Sequence, residues 1–439
     1  MKIKQFEYGP LSHYSYAVIS DGEMAIIDPQ RDPKPYYNYA KAHKAKITIV
    51  LETHPHADFV SSHLQIHKET GASIYHSKRM EPNYPFTAFD EGDTVVLGNI
   101  KLKVINTPGH SPDSITIVAV DGDETLLFTG DTLFVGDVGR PDLRENAGKD
   151  ERQQLAEAMY DTIQHKFNDL PDDAMVYPAH GAGSLCGKSM GDAHSSTLGD
   201  ERKNNWAFKK QSKEKFVEKL LESLPFIPSY FPFNVTINKR GAANLETAIG
   251  SIPFSEKSAA SGLLVDIRDE KTFKKGHLKG SINIQAVSDD AKFETWLGAI
   301  VRPKEEFTLV IDGKEHLDRL LNRVAKIGYE KQLTQVITIS QEDLIVLKRL
   351  NLKDFKKNPN NYTIVDVRNA SEVEESKIFD KALSHPLHEL RYTADDIPTD
   401  KPIVVHCAGG YRSAAGSSII AKYLNATVFD LGDNVKDFN

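Results

Sequence analysis

Short apolar runs recur along the chain, and loop-forming residues end each of them. In the first half, residues 47–51, 101–106, 115–120 and 125–128 have the length and the β-branched content of strands. The loops that follow these runs carry histidine or aspartate. The pattern therefore predicts a β-rich first half with polar chemistry at the ends of its strands.

A different pattern occurs twice in the second half. Residues 262–268 and 362–368 are both apolar strand-like runs that end in Asp-x-Arg, with Asp266 and Arg268 in the first and Asp366 and Arg368 in the second. Each run is followed by another apolar run, at 307–311 and 402–406, and then by a helix-like stretch. This alternation is typical of parallel α/β domains, so we predict an internal repeat of two such domains.

The chain has 439 residues, too many for one ordinary hydrophobic core. A lysine-rich stretch at 209–219 precedes the segment 224–232, whose prolines cannot continue a helix. We place the first boundary near it and predict three domains, at 1–235, 236–345 and 346–439.

Composition excludes several classes of protein. The formal net charge of -8 gives no nucleic-acid footprint, and no apolar stretch is long enough to span a membrane. The first residues do not have the charged and apolar order of a signal peptide. Only two cysteines occur, Cys186 and Cys407, which does not suggest a disulfide framework. We expect a cytoplasmic protein with neither nucleic-acid nor membrane partners.

The segment Glu-Thr-His-Pro-His-Ala-Asp-Phe at 52–59 carries the strongest chemical signal. His54, His56 and Asp58 follow a strand on one turn, a spacing that predicts metal ligands around one point, whereas the phenyl ring of Phe59 cannot coordinate. Three later loops add metal-ligand residue types. These are His110 at 107–114, Asp131 at 128–132 and His180 at 177–181.

This order of motifs resembles the metallo-β-lactamase superfamily, and the resemblance implies an αββα sandwich. Two-metal members carry a histidine where this chain has Phe59, which favours a site for one metal. In the persulfide dioxygenase branch, the resemblance implies one iron(II) held by His54, His110 and Asp131.

The resemblance also implies a role for the remaining residues of these motifs. His56, Asp58 and His180 would orient ligands or water, with direct coordination as the alternative. Zinc is the alternative metal, as in thiolester hydrolases of the glyoxalase II type, which use two metals and a bridging hydroxide.

Two further residues lie near these motifs in sequence. Arg140, in a Gly-Arg element that the family places near the substrate channel, either steers an anionic substrate or forms a structural salt bridge. Cys186, six residues after His180 in a glycine-rich loop, either handles sulfane sulfur or packs as an inert thiol.

The second cysteine has a more specific context. Cys407 ends an apolar run and is followed by a glycine-rich loop, Arg412 and a helix-like stretch, so loop amides, a helix dipole and Arg412 would stabilise a thiolate or persulfide. Four residues separate Cys407 from Arg412, whereas tyrosine phosphatases have five. Together with Asp366-Val-Arg368, this resembles a catalytic rhodanese domain. The family's Gly-His-Ile segment is degraded to Ser376-Lys-Ile378.

The middle repeat departs at the catalytic position. It keeps Asp266, Arg268 and a Gly-His-Leu segment at 276–278, but Asp312 stands where the cysteine is expected and the arginine of the loop is missing. An aspartate cannot carry a persulfide. We therefore expect a noncatalytic rhodanese-like scaffold.

As a whole, the chain resembles bacterial persulfide dioxygenase–rhodanese fusions of sulfide detoxification. The resemblance implies oxidation of a low-molecular-weight thiol persulfide by O2 to sulfite, followed by transfer of sulfane sulfur from Cys407 to sulfite to form thiosulfate. The thiol could be coenzyme A, cysteine, glutathione or bacillithiol, and we expect a homo-oligomer. The alternatives are a zinc-dependent thiolester hydrolase fused to a sulfurtransferase and a nonenzymatic sulfur carrier or sensor.

Overall fold

A computed structural model describes residues 1–143, 148–256, 262–339 and 344–438. The chain forms two compact units. The first contains residues 1–247 and a short later segment, 325–328, and the second contains residues 248–324 and 329–439.

The first unit contains two mixed sheets of six strands each, in which the strands follow one another in chain order. The first sheet consists of β1 (Lys2–Tyr8), β2 (His13–Ser20), β3 (Glu23–Ile27), β4 (Lys46–Leu51), β5 (Ser73–His76) and β6 (Thr87–Ala88). The second consists of β7 (Thr94–Leu97), β8 (Ile100–Asn106), β9 (Ile115–Asp121), β10 (Glu124–Gly130), β11 (Met175–Pro178) and β12 (Ser196–Thr197). The strands predicted at 47–51, 101–106, 115–120 and 125–128 are confirmed as parts of β4, β8, β9 and β10.

The two sheets pack face to face and share one apolar layer. Along β2, Tyr16 and Val18 point into that layer, where they meet Ile117 and Phe128 of the second sheet, while the intervening Ala17 faces the opposite side. The alternation follows from the two-residue period of a strand. A strand that is buried on both faces must lie between two layers, so β2 is apolar or small at most positions.

Helices cover the outer faces of both sheets. Helix α1 packs on the first sheet through Tyr36, and α3 and α5 pack on the second through Met159 and Phe216. The helices of this part of the chain are α1 (Lys34–Ala42), α2 (His63–Thr70), α3 (Lys149–Asp161), α4 (Leu198–Asn204), α5 (Lys213–Leu221), α6 (Phe231–Arg240) and α7 (Leu245–Gly250). The result is the expected αββα sandwich, and the helix break predicted in the proline segment is confirmed between α5 and α6.

The second unit contains two parallel sheets, one for each predicted repeat. The first has the order β13 (Phe254–Ser255), β17 (Leu333–Thr338), β16 (Phe307–Ile311), β14 (Leu263–Asp266), β15 (Ile282–Asn283). The second has the order β19 (Leu383–Ser384), β18 (Thr363–Asp366), β20 (Ile403–His406), β21 (Val428–Asp430). In both, the strand that ends in Asp-x-Arg pairs with the later apolar strand, as the repeat predicts.

Helices follow the strands of both repeats. They are α8 (Glu270–Lys275), α9 (Phe293–Ile300), α10 (Leu317–Lys326), α11 (Leu352–Lys357), α12 (Ala370–Glu375), α13 (Leu390–Thr393) and α14 (Tyr411–Tyr423). The last two residues of α10 belong to the short segment that is part of the first unit. Within the described residues, no helix has the length and apolar character needed to cross a membrane.

Candidate metal centre and sulfur-transfer loop

The candidate metal ligands of the first unit lie in loops that follow strands of both sheets. His54 follows β4, His110 follows β8, Asp131 comes directly after β10 and His180 follows β11. All four side chains are buried. Since the two sheets are stacked, these loops meet at one edge of the sandwich, which places side chains from distant parts of the chain together.

His54, His110 and Asp131 form one group of ligand-type side chains whose ligand atoms lie within 4.8 Å of one another. The Nε2 atoms of His54 and His110 lie 3.7 and 3.6 Å from Asp131 Oδ2. That oxygen is buried and has no hydrogen-bond partner within the described residues. Ligand atoms bound to one cation at about 2.1 Å lie roughly 3.0–3.6 Å apart, so one of these two separations is at the upper end of that range and the other is just above it. Two imidazoles and one carboxylate suit iron(II) or zinc.

Hydrogen bonds on the far side of each imidazole fix the nitrogen that faces Asp131. His110 Nδ1 donates to the carbonyl oxygen of Arg140 at 2.8 Å. The Thr53 hydroxyl donates to Asp28, so its oxygen accepts from His54 Nδ1 at 3.0 Å. In both rings Nε2 is then the unprotonated nitrogen, the form that binds metal. Burial and the neighbouring His56 lower the pKa of His54, which also favours the neutral ring.

His180 forms hydrogen bonds with two carboxylates. Its Nδ1 lies 2.7 Å from Asp131 Oδ1 and its Nε2 lies 2.9 Å from Asp58 Oδ2. Burial lowers the pKa of His180, but Asp131 and Asp58 outweigh it and raise that pKa to about 10. With both nitrogens engaged, His180 orients Asp131, a geometry that favours the orienting role over direct coordination.

The expectation that His54, His56 and Asp58 surround one point is wrong. Their side chains fall into three separate groups of ligand-type residues. His56 Nε2 is turned toward Asp28 Oδ1 at 3.1 Å and Glu52 Oε2 at 3.2 Å. These two buried carboxylates raise the pKa of His56 although burial opposes them, and their attraction explains the direction in which Nε2 points.

Sequence reasoning missed Asp28 and Glu52 as partners of His56. Each comes directly after a strand, β3 for Asp28 and β4 for Glu52, which is the same signal that marked the candidate ligands. It also missed His13, whose ring centroid lies 3.9 Å from that of Phe59. Phe59 is fully buried and packs 4.4 Å from the ring of His56. An apolar ring therefore occupies the place between two histidines.

Cys186 lies beside the same centre. Its sulfur forms a group with ligand atoms of Asp58 and His180 in which all atoms lie within 4.8 Å of one another. Burial and the nearby carboxylates of Asp131 and Asp58 raise the pKa of the Cys186 thiol well above its usual value. A protonated thiol is a weak nucleophile, so this environment favours the inert alternative for Cys186.

Arg140 has the geometry of the salt-bridge alternative. Its Nε and Nη2 atoms donate to both carboxylate oxygens of Asp142 at 2.6 and 2.8 Å, and Nη1 donates to the Leu185 carbonyl oxygen. The side chain is 1% exposed, so the guanidinium is paired inside the protein. Its backbone contacts residues of the candidate metal centre. The carbonyl oxygen accepts a hydrogen bond from His110, and the N–H donates to the Cys186 carbonyl oxygen.

In the second unit, Cys407 lies between β20 and α14. Its Sγ accepts a hydrogen bond from the Gly410 N–H at 3.1 Å. Gly410 has a φ of 95°, and a Cβ there would lie 3.0 Å from the Asp433 nitrogen, so only glycine fits. The loop therefore turns back around the sulfur and leads into the first turn of α14.

Arg412 completes this loop in partnership with a residue that sequence reasoning missed. Its Nη1 and Nη2 atoms donate to both oxygens of Glu372 at 2.5 and 2.8 Å. Glu372 also accepts from the Asn369 N–H in the capping box of α12. Burial opposes protonation of Arg412, but Glu372 and the charge of Cys407 raise the pKa of the guanidinium. The cation is thus fixed close to the sulfur.

The middle repeat touches the helix that follows the cysteine loop. The Tyr411 hydroxyl donates to the Gln285 carbonyl oxygen at 3.3 Å, and the Asn283 N–H donates to Ser418 Oγ at 3.0 Å. Its own counterpart of the cysteine, Asp312, follows β16 and is exposed. The scaffold role of this repeat stays a prediction.

Comparison with protein families assigns both halves of the chain. A model described as the Metallo-beta-lactamase superfamily matches residues 8–180, and a model described as Rhodanese-like domain matches residues 254–337 and 351–438. The crystal structure of a metallo-beta-lactamase from Staphylococcus aureus subsp. aureus COL is similar, with a TM-score of 0.68 and 33% identity. The match covers 77% of this chain and 99% of that one.

Curated relatives match part of the chain. The cytoplasmic hydroxyacylglutathione hydrolase of Arabidopsis thaliana is 31% identical over 174 residues, which cover 38% of this chain and 63% of that protein. The mitochondrial persulfide dioxygenase ETHE1 of Homo sapiens is 26% identical over 168 residues, which cover 36% of this chain and 59% of that protein. The chain thus spans about three fifths of the length of these two relatives.

Proposed function

Because the chain belongs to the metallo-β-lactamase superfamily and carries two rhodanese-like segments, we propose that it is a non-haem iron(II) persulfide dioxygenase joined to a sulfurtransferase. One observation carries the proposal. Of the three ligand groups in the described part of the chain, the one formed by His54, His110 and Asp131 has two imidazole nitrogens facing a carboxylate oxygen that lacks any other partner. Two histidines and one carboxylate leave coordination positions open for substrate and oxygen.

The surroundings of this group support a site for one metal. A second metal would draw on Asp58 and His180, but their side chains are hydrogen-bonded to each other. Phe59 provides no ligand, and His56 is held by Asp28 and Glu52. The human relative named persulfide dioxygenase supports the same reaction class.

The proposed oxidation uses one persulfide, one dioxygen and one water. The sulfur–sulfur bond breaks, the terminal sulfur is oxidised to sulfite, dioxygen is reduced, and the thiol and two protons are released. Iron(II) held by the three residues supplies the redox chemistry with oxygen. His180 keeps Asp131 oriented, and the Arg140 carbonyl keeps His110 in the tautomer that binds metal.

The proposed transfer step uses the second unit. The Cys407 thiolate attacks the outer sulfur of a second persulfide, which releases a thiol and leaves a persulfide on Cys407. Sulfite then takes the outer sulfur as thiosulfate, and the Cys407 thiolate is restored. The Gly410 N–H and Arg412 stabilise the negative sulfur during both displacements.

A zinc-dependent thiolester hydrolase is the second candidate, because the Arabidopsis relative is named as a hydroxyacylglutathione hydrolase. That reaction consumes no oxygen. It would use a hydroxide generated by zinc, for which two-metal sites are the usual arrangement. Metal dependence and oxygen consumption therefore separate the two candidates.

The test is oxygen uptake by protein loaded anaerobically with iron(II) or with zinc, given coenzyme A persulfide or glutathione persulfide. We expect uptake with iron alone and its loss in His110→Ala. His43→Ala is the control, since His43 is exposed at the end of α1. Iron-loaded protein that takes up no oxygen with either persulfide, combined with zinc-dependent thiolester hydrolysis, would overturn the proposal.

A further inference from the structure

The loop between β4 and α2 carries His54, Asp58 and Phe59, and it is irregular and buried throughout. An irregular segment cannot satisfy its own backbone groups, and buried N–H and C=O groups left without partners are costly. The partners therefore have to come from elsewhere in the fold. One of them is the Lys326 carbonyl oxygen, from residues 325–328 of the same unit, which accepts from the Val60 N–H at 2.8 Å.

A single side chain satisfies three more of these groups. Asn238 Nδ2 donates to the carbonyl oxygens of His56 and Phe59 at 2.8 and 2.9 Å, and Asn238 Oδ1 accepts from the Ser61 N–H at 2.9 Å. Asn238 lies in α6, beyond residues 8–180 that match the superfamily model. It is 1% exposed, so water does not compete for these bonds.

The three contacts hold the turn that carries Asp58 and Phe59. The bonded residues lie on both sides of Asp58, which holds His180, and they include Phe59 itself. An asparagine amide offers two donors and an acceptor in one plane, and this turn uses all three. An aspartate has the same shape but would place an oxygen against two carbonyl oxygens.

We propose that Asn238 is a positioning residue for the metal centre. It holds the turn from His56 to Ser61 so that Asp58 reaches His180 and the ring of Phe59 stays between His13 and His56. The inference rests on the proposed metal site and adds to it a residue from outside the matched domain. Removal of a residue that orients metal ligands typically weakens metal binding about 10- to 100-fold.

Helix α6 provides a matched control. Asn234 lies one turn before Asn238, is also fully buried, and neither of its amide atoms has a hydrogen-bond partner within the described residues. Asn234→Ala therefore makes a similar change in the same helix without removing a bond to the metal loop.

The experiment measures cobalt(II) affinity and the visible spectrum of the cobalt protein for full-length wild type, Asn238→Ala, Asn238→Asp and Asn234→Ala, together with thermal unfolding. We expect both Asn238 variants to bind cobalt(II) about 10- to 100-fold more weakly with an altered spectrum, and Asn234→Ala to match wild type in both. If Asn238→Ala does not fold, the isosteric Asn238→Asp decides.

Unchanged cobalt affinity and spectrum in a folded Asn238 variant would overturn the inference, as would an equal loss in Asn234→Ala. Neither measurement depends on oxygen or persulfide, so failure of the dioxygenase proposal leaves the result interpretable. Wild-type protein that binds no cobalt would overturn both this inference and the metal site on which it rests.

Discussion

The two rhodanese-like repeats share a frame, which an Asp–Arg pair builds, and differ in the residues around the cysteine position. In both, the strand ending in Asp-x-Arg closes with a bidentate pair, in which Nη2 of the arginine lies 2.6 Å from Asp266 Oδ2 in the first repeat and 2.7 Å from Asp366 Oδ2 in the second. In both, the same Nη2 atom donates at 2.8 Å to a carbonyl oxygen after the next helix, that of Gly276 or Ser376. The frame is therefore present both with and without the cysteine.

The differences lie together at the end of the neighbouring strand. Where the second repeat has Cys407, the first has Asp312. In the second repeat Glu372 binds Arg412, whereas the first repeat has Thr272 at the position of the glutamate and no arginine in the loop. Thr272 donates its hydroxyl hydrogen to Asp269 at the start of α8. The glutamate is absent where the cysteine and arginine are absent, as expected if it serves the proposed sulfur transfer.

The largest expected effect comes from removing the sulfur. Cys407→Ser should lower sulfur transfer from a persulfide to sulfite by at least about a thousandfold, since no other group can take its place as the nucleophile. Asp312→Ser is the matched change in the first repeat and should leave transfer unchanged. Thiosulfate formation measures both. Substantial transfer by Cys407→Ser would contradict a catalytic difference between the repeats.

Removal of the arginine of the Asp–Arg pair should destabilise both repeats to a similar extent. Arg268→Ala and Arg368→Ala each leave a buried carboxylate without its partner, a change that typically costs about 3–5 kcal/mol of stability. Urea unfolding followed by circular dichroism should show an earlier transition for both variants. An effect in one repeat alone would show that the two Asp–Arg pairs are not equivalent.

Glu372→Gln should slow sulfur transfer about tenfold, because Arg412 loses the charged partner that fixes it near Cys407. Glu374→Gln, an exposed change on the same helix, is the control. Burial raises the pKa of Glu372, but Arg412 outweighs it and lowers that pKa. The pair therefore persists on acidification until the pH falls through this lowered value. Equal rates of sulfur transfer for both variants and wild type would show that Glu372 does not contribute to the transfer.

The smallest expected effect is that of restoring a thiol to the first repeat. Asp312→Cys should give no measurable transfer in a Cys407→Ser background, because the loop has no arginine and position 272 has no carboxylate. The same thiosulfate measurement applies. Recovery of activity would show that the cysteine alone separates the repeats.

The sequence predicted the strands and the repeats well because both follow from local apolar periodicity. Residues 307–311, for example, form β16 as predicted. The direction of His56 could not be predicted, since it depends on Asp28 and Glu52, which meet it only in the folded sandwich. The contacts of Asn238 join residues about 180 positions apart, and no local pattern marks such a pairing. For Arg140, the sequence left two roles open that burial and Asp142 distinguish.

The most direct test of the coupled chemistry is the product formed from a persulfide under oxygen by iron(II)-loaded wild type and Cys407→Ser. The proposed function predicts equal oxygen uptake, with thiosulfate as the product of wild type and sulfite as the product of the variant. Thiosulfate from both proteins, or no oxygen uptake by either, would contradict it.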